Sequence, residues 1–178
     1  RGQPTNHIKF NEEVALLAGD SLLTEAFQVL ARNYTTDCAS LIQLVAEGAG
    51  LNGMIRGQVL DLGQGQPVQE LSDLINLHEL KTGRLIAMCC TGPAILAPKK
   101  QAPFYELGLM LGLAFQVKDD LLDAEEEDNA SFIAFLGVEG TKTYLQALTE
   151  KIDRALMELS LESEYLKSLI QYNLKREK

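Results

Sequence analysis

The sequence predicts an all-α protein, and three observations carry this prediction. Apolar residues recur at intervals of three and four along most of the chain, which is the spacing of one face of an α-helix. Capping residues and helix breakers separate these segments into lengths typical of globular helices. No alternation of apolar and polar residues is long enough for a strand, apart from an ambiguous stretch at 131–136. We therefore expect seven or eight helices.

The first long helix is predicted to begin after Asn11, a favoured N-cap that is followed by two acidic residues in the first turn. The polar stretch 33–37 ends this helix. A shorter helix is predicted over 39–46, before the glycines at 48–50 interrupt the pattern.

The next helices are separated by glycine and proline. A short helix over 54–62 ends at the turn-forming sequence GQGQP at 63–67. A longer helix begins at residue 71 and runs to about residue 90, where Gly92-Pro93 is predicted to end it. Two further helices are predicted over 142–159 and 164–175.

The stretch 104–123 is predicted to be the central helix of the fold. It ends in Asp119, Asp120 and Asp123, and carboxylates at the end of a buried helix are unfavourable unless something neutralises them. A helix that is apolar all round is surrounded by other helices. The apolar side chains form two rows, Phe104, Leu107, Leu111 and Phe115 in one and Leu109, Leu113, Val117 and Leu121 in the other.

Length, charge and composition exclude several classes of function. The 178 residues suffice for one compact core, so a single domain over 1–178 is expected. With 25 acidic and 16 basic residues the net charge is −9, the opposite of what nucleic-acid binding requires. Three cysteines, two of them adjacent, favour a reducing cytoplasm over a disulfide framework. The longest apolar stretches, 85–98 and 107–117, fall short of the about 20 residues that span a bilayer, so no stable membrane insertion is expected.

The acidic end of the central helix is a candidate metal site. Asp119 and Asp123 are four residues apart and share one helical face, with Asp120 about 100° round the axis. Mg²⁺ usually takes one or two protein carboxylates and completes its shell with water and substrate phosphate. The spacing alone fits a solvated acidic helix end equally well, because four more acidic residues follow at 125–128.

One further pair has the residue types of a phosphate site, and a second pair means little by itself. Lys81 and Thr82 lie inside the helix predicted from residue 71 and suit a phosphate oxygen, although such a lysine is more often a solvated surface residue. The following Gly83 lowers helix propensity and indicates close packing or a kink. Gln58 and Asp61 are three apart and share a helical face.

Together these segments resemble the trans-prenyl diphosphate synthases, the family of farnesyl and geranylgeranyl diphosphate synthases. Any one match is weak, but five occur in the family's order within residues 1–123. FQVKDDLLD at 115–123 is similar to the second aspartate-rich motif, FQ-x-x-DD-x-x-D. The other four are RGQPTNH at 1–7, similar to the segment after the first aspartate-rich motif, GDSLLTEAF at 19–27, GQVLDL at 57–62, and HELKTG at 78–83, similar to H-x-x-K-T-G.

The resemblance implies a bundle of long helices around a deep central cavity, as in isoprenoid synthases. It also implies a magnesium-dependent prenyltransferase that condenses isopentenyl diphosphate with an allylic diphosphate. The family reaction ionises the allylic diphosphate, adds the resulting carbocation to the double bond of isopentenyl diphosphate, and loses a proton. A short-chain product of 15 or 20 carbons, a homodimer and a cytoplasmic location follow from the same resemblance.

The resemblance assigns roles to individual residues of this chain. Lys81 would bind the departing diphosphate, and the side-chain oxygens of Thr82 and Gln116 would face the carbocation. Arg1 would contact isopentenyl diphosphate, and His7 and Gln58 are expected to bind substrate as well. The residues expected to hold or orient magnesium are Asp61, Asp119, Asp120 and Asp123.

The chain also departs from the family pattern. The first aspartate-rich motif would precede Arg1, so residues 1–178 are expected to be the C-terminal part of a larger prenyl synthase domain and inactive alone. After the second aspartate-rich motif the family usually carries a loop with lysines and an aspartate, whereas here Asp128 is followed directly by Asn129. Either this loop is naturally short in the protein, or the sequence does not contain it. The end at 174–178 resembles the basic tail that closes over the site in some members, although frayed charged termini are common. The alternative function is a non-catalytic regulatory subunit or scaffold of the same fold.

Overall fold

The computed structural model describes residues 2–123, 130–161 and 163–176 of the chain. Every regular element in these residues is helical and none is a strand, which confirms the all-α prediction. The chain divides into two compact units, Arg1–Gln43 and Leu44–Lys178. The helices are α1 (Asn6–Lys9), α2 (Glu12–Asn33), α3 (Cys38–Ala49), α4 (Met54–Asp61), α5 (Leu71–His78), a π-helical turn (Glu79–Gly83), α6 (Arg84–Leu96), α7 (Gln101–Leu122), α8 (Phe132–Glu158) and α9 (Glu164–Lys175).

Helix α2 begins where the sequence predicts. The Asn11 side chain accepts a hydrogen bond of 2.7 Å from the backbone N–H of Val14, which satisfies one of the unpaired N–H groups of the first turn. None of its residues is buried. Large apolar side chains are instead exposed along it, namely Val14, Leu16, Leu17, Leu22, Leu23 and Val29.

Two stretches, Glu12–Asn33 and Cys38–Asp61, are long and apolar enough to cross a membrane. Length and composition are the only criteria they meet. The core helix of a soluble protein and a signal sequence meet the same criteria, so the two stretches are a weak indication of membrane insertion.

The helix predicted to end at Gly92-Pro93 continues to Leu96, and the expected end is wrong. Pro93 lacks an N–H group and removes one intrahelical hydrogen bond. The side chains of Ala94 and Ile95, directly after it, are buried. Their packing outweighs the lost bond, and the helix gains one more turn.

Helix α7 is central to the unit Leu44–Lys178, as its all-round apolar pattern predicts. It packs against α5, the π-helical turn, α6, α8 and α9. Gly112 lets it approach the π-helical turn, because a Cβ atom at Gly112 would lie 2.5 Å from the Cα of Gly83. The close packing inferred from Gly83 is therefore confirmed. The buried residues of α7 are Leu107, Gly108, Gly112, Leu113, Ala114 and Val117.

Helix α8 begins ten residues before its predicted start at Lys142, and the ambiguous stretch 131–136 is not a strand. The Ser131 hydroxyl caps it by accepting from the backbone N–H of Ala134 at 3.2 Å. Gly137, with φ of 67°, interrupts the helical backbone after this first turn. Because of this interruption, the residues before and after Gly137 do not follow one continuous helical pattern of apolar residues. The sequence therefore predicts only the later part of α8.

All three cysteines are free, as their number and spacing predict. Burial, and secondarily the neighbouring Cys89, raise the pKa of Cys90 to about 11. Cys90 is therefore a neutral thiol at physiological pH.

Candidate active site

A cavity of about 600 Å³, here called the site cavity, lies beside the C-terminal end of α7. Its wall also includes the end of α4 with the turn that follows, the end of α5, and the π-helical turn. The cavity brings together seven of the residues predicted from the sequence to act in the site. These residues are Asp61, Lys81, Thr82, Gln116, Asp119, Asp120 and Asp123.

One side of the site cavity carries an ion pair between Lys81 and Asp61. The Lys81 ammonium donates to the Asp61 carboxylate at 2.7 Å, and the two side chains are 30% and 35% exposed. Gly57 brings the two elements together, because a Cβ atom there would lie 2.3 Å from the backbone nitrogen of Lys81. The glycine contact thus places the last residue of α4 beside the π-helical turn.

The turn after α4 depends on Gly63. Its φ of 69° lies in the left-handed region that glycine adopts readily. In this conformation the N–H of Gly63 bonds to the carbonyl of Leu60 and that of Gln64 to the carbonyl of Val59, both at 3.0 Å. The chain reverses there and forms the rim of the site cavity, as the predicted turn at 63–67 requires.

Replacing Gly57 with alanine is expected to separate α4 from the π-helical turn. The added methyl meets backbone atoms of Lys81, which cannot rotate away, so overpacking of about 1–3 kcal/mol is expected. The measurement is the free energy of unfolding in urea. The matched control is Gly19→Ala in α2, where a Cβ atom meets nothing within 4 Å and alanine should be neutral or stabilising. Equal stability of the two variants would show that the close contact is absent.

The other side of the cavity is the acidic end of α7, where the side chains of Gln116 and Arg176 contact Asp119. The Gln116 amide donates to it at 3.2 Å, and Arg176 forms an ion pair with it. The Arg176 guanidinium lies 4.2 Å from the centre of the Phe115 ring and also donates to the carbonyl oxygen of Phe115 at 3.3 Å. With its side chain 14% exposed, Arg176 is largely buried against α7.

Asp120 and Asp123 have different surroundings. Asp120 accepts a hydrogen bond of 2.6 Å from the backbone N–H of Phe132, at the start of α8. Asp123 is exposed at the C-cap of α7, and its own backbone N–H bonds to the carbonyl of Asp119 at 2.9 Å.

Two residues of this region were not predicted as site residues. Arg176 lies within the basic tail at 174–178, so its charge was the available signal, but its contact with Asp119 spans 57 residues. His78 is buried, lines the site cavity and stacks on the ring of Phe132. Its position four residues after the buried Leu74 is the signal that places it on the inner face of α5.

The other three predicted substrate-binding residues lie in different parts of the chain. Gln58 is exposed on α4 and does not line the cavity. His7 is exposed on α1, in the unit Arg1–Gln43. Arg1 lies outside the described residues, as does the departure from the family pattern between Asp128 and Asn129.

The carboxylate oxygens in the site cavity fit a Mg²⁺ ion that is bound together with the substrate. Within the described ranges no three His, Cys, Asp or Glu side chains converge into a complete metal site. Mg²⁺ does not require one, since it is commonly held by one or two carboxylates together with water and phosphate oxygens. Asp119 and Asp123, in one wall of the cavity, provide such carboxylates.

Comparison with known proteins gives a consistent result. A family model described as Polyprenyl synthetase matches residues 1–131. The farnesyl diphosphate synthase of Micrococcus luteus is 36% identical to the chain, over 100% of the chain and 68% of that protein. A crystal structure of an FPP/GFPP synthase from Zymomonas mobilis superposes with a TM-score of 0.88 at 35% identity, over 97% of the chain and 65% of that structure.

A third relative is a geranyltransferase from Helicobacter pylori, whose crystal structure is complexed with magnesium and isoprenyl diphosphate. Its TM-score is 0.76 at 31% identity, over 97% of the chain and 61% of that structure. The chain thus spans about two thirds of the length of these relatives. The family match and the Micrococcus luteus relative confirm the resemblance found in the sequence, and the chain belongs to the polyprenyl synthetase family.

Proposed function

We propose that the protein is a magnesium-dependent prenyltransferase that condenses isopentenyl diphosphate with an allylic diphosphate to give a product of 15 or 20 carbons. The observation that carries the proposal is the site cavity, which places the acidic end of α7 and the Lys81–Asp61 pair in one space. The names of the relatives support the substrate class. They also favour an enzyme over a non-catalytic subunit or scaffold.

The acidic wall is proposed to hold Mg²⁺, and the Helicobacter pylori relative complexed with magnesium supports this assignment. Asp119 and Asp123 are the proposed ligands, and Asp61 adds a carboxylate from the opposite element. When bound, the metal supplies positive charge that makes diphosphate a better leaving group. Gln116 orients the Asp119 carboxylate through their hydrogen bond of 3.2 Å.

The other residues are proposed to act on the diphosphate and the hydrocarbon. Lys81, held by Asp61, binds the diphosphate as the allylic carbon–oxygen bond breaks. The hydroxyl of Thr82 and the amide oxygen of Gln116 face the carbocation. The double bond of isopentenyl diphosphate then forms the new carbon–carbon bond, and loss of a proton restores a double bond. The apolar part of the cavity wall is proposed to limit attack by water on the cation.

Isopentenyl diphosphate is proposed to bind to Arg1, His7 and Gln58. These residues follow from the family motifs and not from the site cavity. A homodimer and a cytoplasmic location are proposed as well. The exposed apolar residues of α2 support the homodimer, because several large apolar side chains exposed on one helix are unusual in a monomer.

The test uses the purified full-length protein, radiolabelled isopentenyl diphosphate, and dimethylallyl, geranyl or farnesyl diphosphate as the allylic partner. With Mg²⁺ we expect a labelled prenyl diphosphate, whose length is read by chromatography after dephosphorylation. EDTA in place of Mg²⁺ is the control and should abolish the product. Absence of product with all three allylic diphosphates, in a folded protein, would favour the non-catalytic alternative.

A further inference from the structure

Asp120 connects the end of α7 with the start of α8. Its carboxylate oxygen Oδ2 accepts from the backbone N–H of Phe132 at 2.6 Å, across twelve positions of sequence. Phe132 is the first residue of α8, and the first N–H groups of a helix have no partner within it. Ser131 accepts from a later N–H group, that of Ala134. Asp120 and Ser131 therefore cap two different N–H groups in the first turn of α8.

The anchored residue is a major part of the core. The side chain of Phe132 is fully buried, and its ring stacks on His78 with centroids 5.9 Å apart and planes 14° from parallel. It also lies against Tyr144, with centroids 5.1 Å apart. His78 lines the site cavity and directly precedes the π-helical turn that carries Lys81. A continuous set of contacts thus leads from Asp120 to the lysine side of the cavity.

The side chains of adjacent residues on a helix point about 100° apart, so two neighbouring carboxylates contact different partners. Asp119 meets Arg176 and Gln116, whereas Asp120 meets the main chain of α8. A buried backbone N–H without its acceptor is unfavourable, so the hydrogen bond to Asp120 stabilises the start of α8 whether or not a metal is bound.

We infer that Asp120 is a positioning residue. Its carboxylate fixes the backbone of Phe132 and, through the stacked ring, the side of the cavity that carries His78 and Lys81. Asp119 and Asp123 remain the proposed ligands that would hold magnesium. The inference rests on the proposed function, and it gives Asp120 a role other than the metal ligand expected from the sequence.

The test compares Asp120→Asn with Asp120→Ala. Asparagine keeps an acceptor oxygen and the volume of the side chain but removes its charge. Alanine removes the acceptor oxygen as well as the charge. Hydrogen exchange at the Phe132 amide should stay within about threefold of the original protein in Asp120→Asn and accelerate at least about tenfold in Asp120→Ala. The melting temperature should fall by about 4 °C in the alanine variant alone.

Binding of inorganic pyrophosphate in the presence of Mg²⁺, followed by calorimetry, separates positioning from metal ligation. Asp120→Asn should bind within about threefold of the original protein, whereas the comparator Asp119→Asn should bind at least about tenfold more weakly. The inference is overturned if Asp120→Asn loses as much affinity as Asp119→Asn while exchange at Phe132 is unchanged. It is overturned equally if Asp120→Ala leaves exchange at Phe132 unchanged.

Failure of the proposed function gives a different pattern. In that case Asp119→Asn and Asp120→Asn would both bind pyrophosphate like the original protein, whatever the exchange rates. The exchange and melting measurements need neither metal nor substrate, so they decide separately whether Asp120 anchors Phe132. Should Asp120→Ala fail to fold, Asp120→Asn alone still separates the two roles. A positioning residue needs only the acceptor oxygen, which asparagine keeps, whereas a metal ligand needs the negative charge, which asparagine lacks.

Discussion

Replacing Asp119 with asparagine is expected to lower kcat by about 1,000-fold, because the metal-bound carboxylate supports several kcal/mol of charge stabilisation and each 1.36 kcal/mol corresponds to a factor of ten. Asparagine keeps the shape of the side chain and one acceptor oxygen. Gln116 and Arg176 each donate to a different oxygen of Asp119, so one of these two contacts is lost. The fold should remain intact, with a fall of only a few degrees in melting temperature. Steady-state rates over a range of Mg²⁺ concentrations measure the effect.

The control for this variant is Asp153→Asn. Asp153 is an exposed carboxylate on α8 that lines a different cavity, together with Lys167. Its removal changes the net charge of the protein by the same amount and should leave kcat unchanged. A kcat for Asp119→Asn within about tenfold of that of the original protein at saturating Mg²⁺ would show that Asp119 is not a ligand of the metal.

Replacing Lys81 with methionine is expected to lower kcat/KM roughly 10- to 100-fold, since hydrogen bonds to charged groups contribute about 1.5–3 kcal/mol. Methionine retains most of the side-chain length but cannot donate to a diphosphate. The change also leaves the Asp61 carboxylate without its partner at 2.7 Å, which adds negative charge to a cavity that binds anions. Initial rates with the allylic diphosphate varied at fixed isopentenyl diphosphate measure the effect.

Lys142→Met is a closely matched control. Lys142 also forms an ion pair of 2.7 Å, with Glu139, but it lies on α8 and lines another cavity. The two lysines form ion pairs of equal length, but Lys142 is more exposed and pairs within its own helix. Similar losses of kcat/KM in both variants would indicate a general effect of charge and contradict a specific role for Lys81.

The sequence predicts those parts of the fold that depend on local chemistry. The Asn11 cap involves a side chain and a backbone group three residues apart, so it is visible in a short stretch of sequence. The central position of α7 follows from apolar residues on all of its faces. The family motifs then bring Asp61, Lys81 and the acidic end of α7 into one expected site, although they are distant in sequence, and the structure places them in one cavity.

The remaining features depend on partners that sequence spacing does not identify. The turn of helix beyond Pro93 depends on the burial of Ala94 and Ile95 by tertiary packing. A π-helical turn differs from an α-helix by one residue per hydrogen bond, and the residues from Glu79 to Gly83 carry no pattern that separates the two. The bond from Asp120 to Phe132 joins the ends of two helices.

The most direct test of the proposed magnesium–diphosphate site is the binding of inorganic pyrophosphate to the purified full-length protein, measured by calorimetry with Mg²⁺ and with EDTA. We expect the affinity to be at least about tenfold higher with Mg²⁺, and we expect this difference to be lost in Asp119→Asn. Equal binding in Mg²⁺ and EDTA, or a magnesium effect that survives in Asp119→Asn, would contradict the claim that the acidic end of α7 forms a magnesium–diphosphate site.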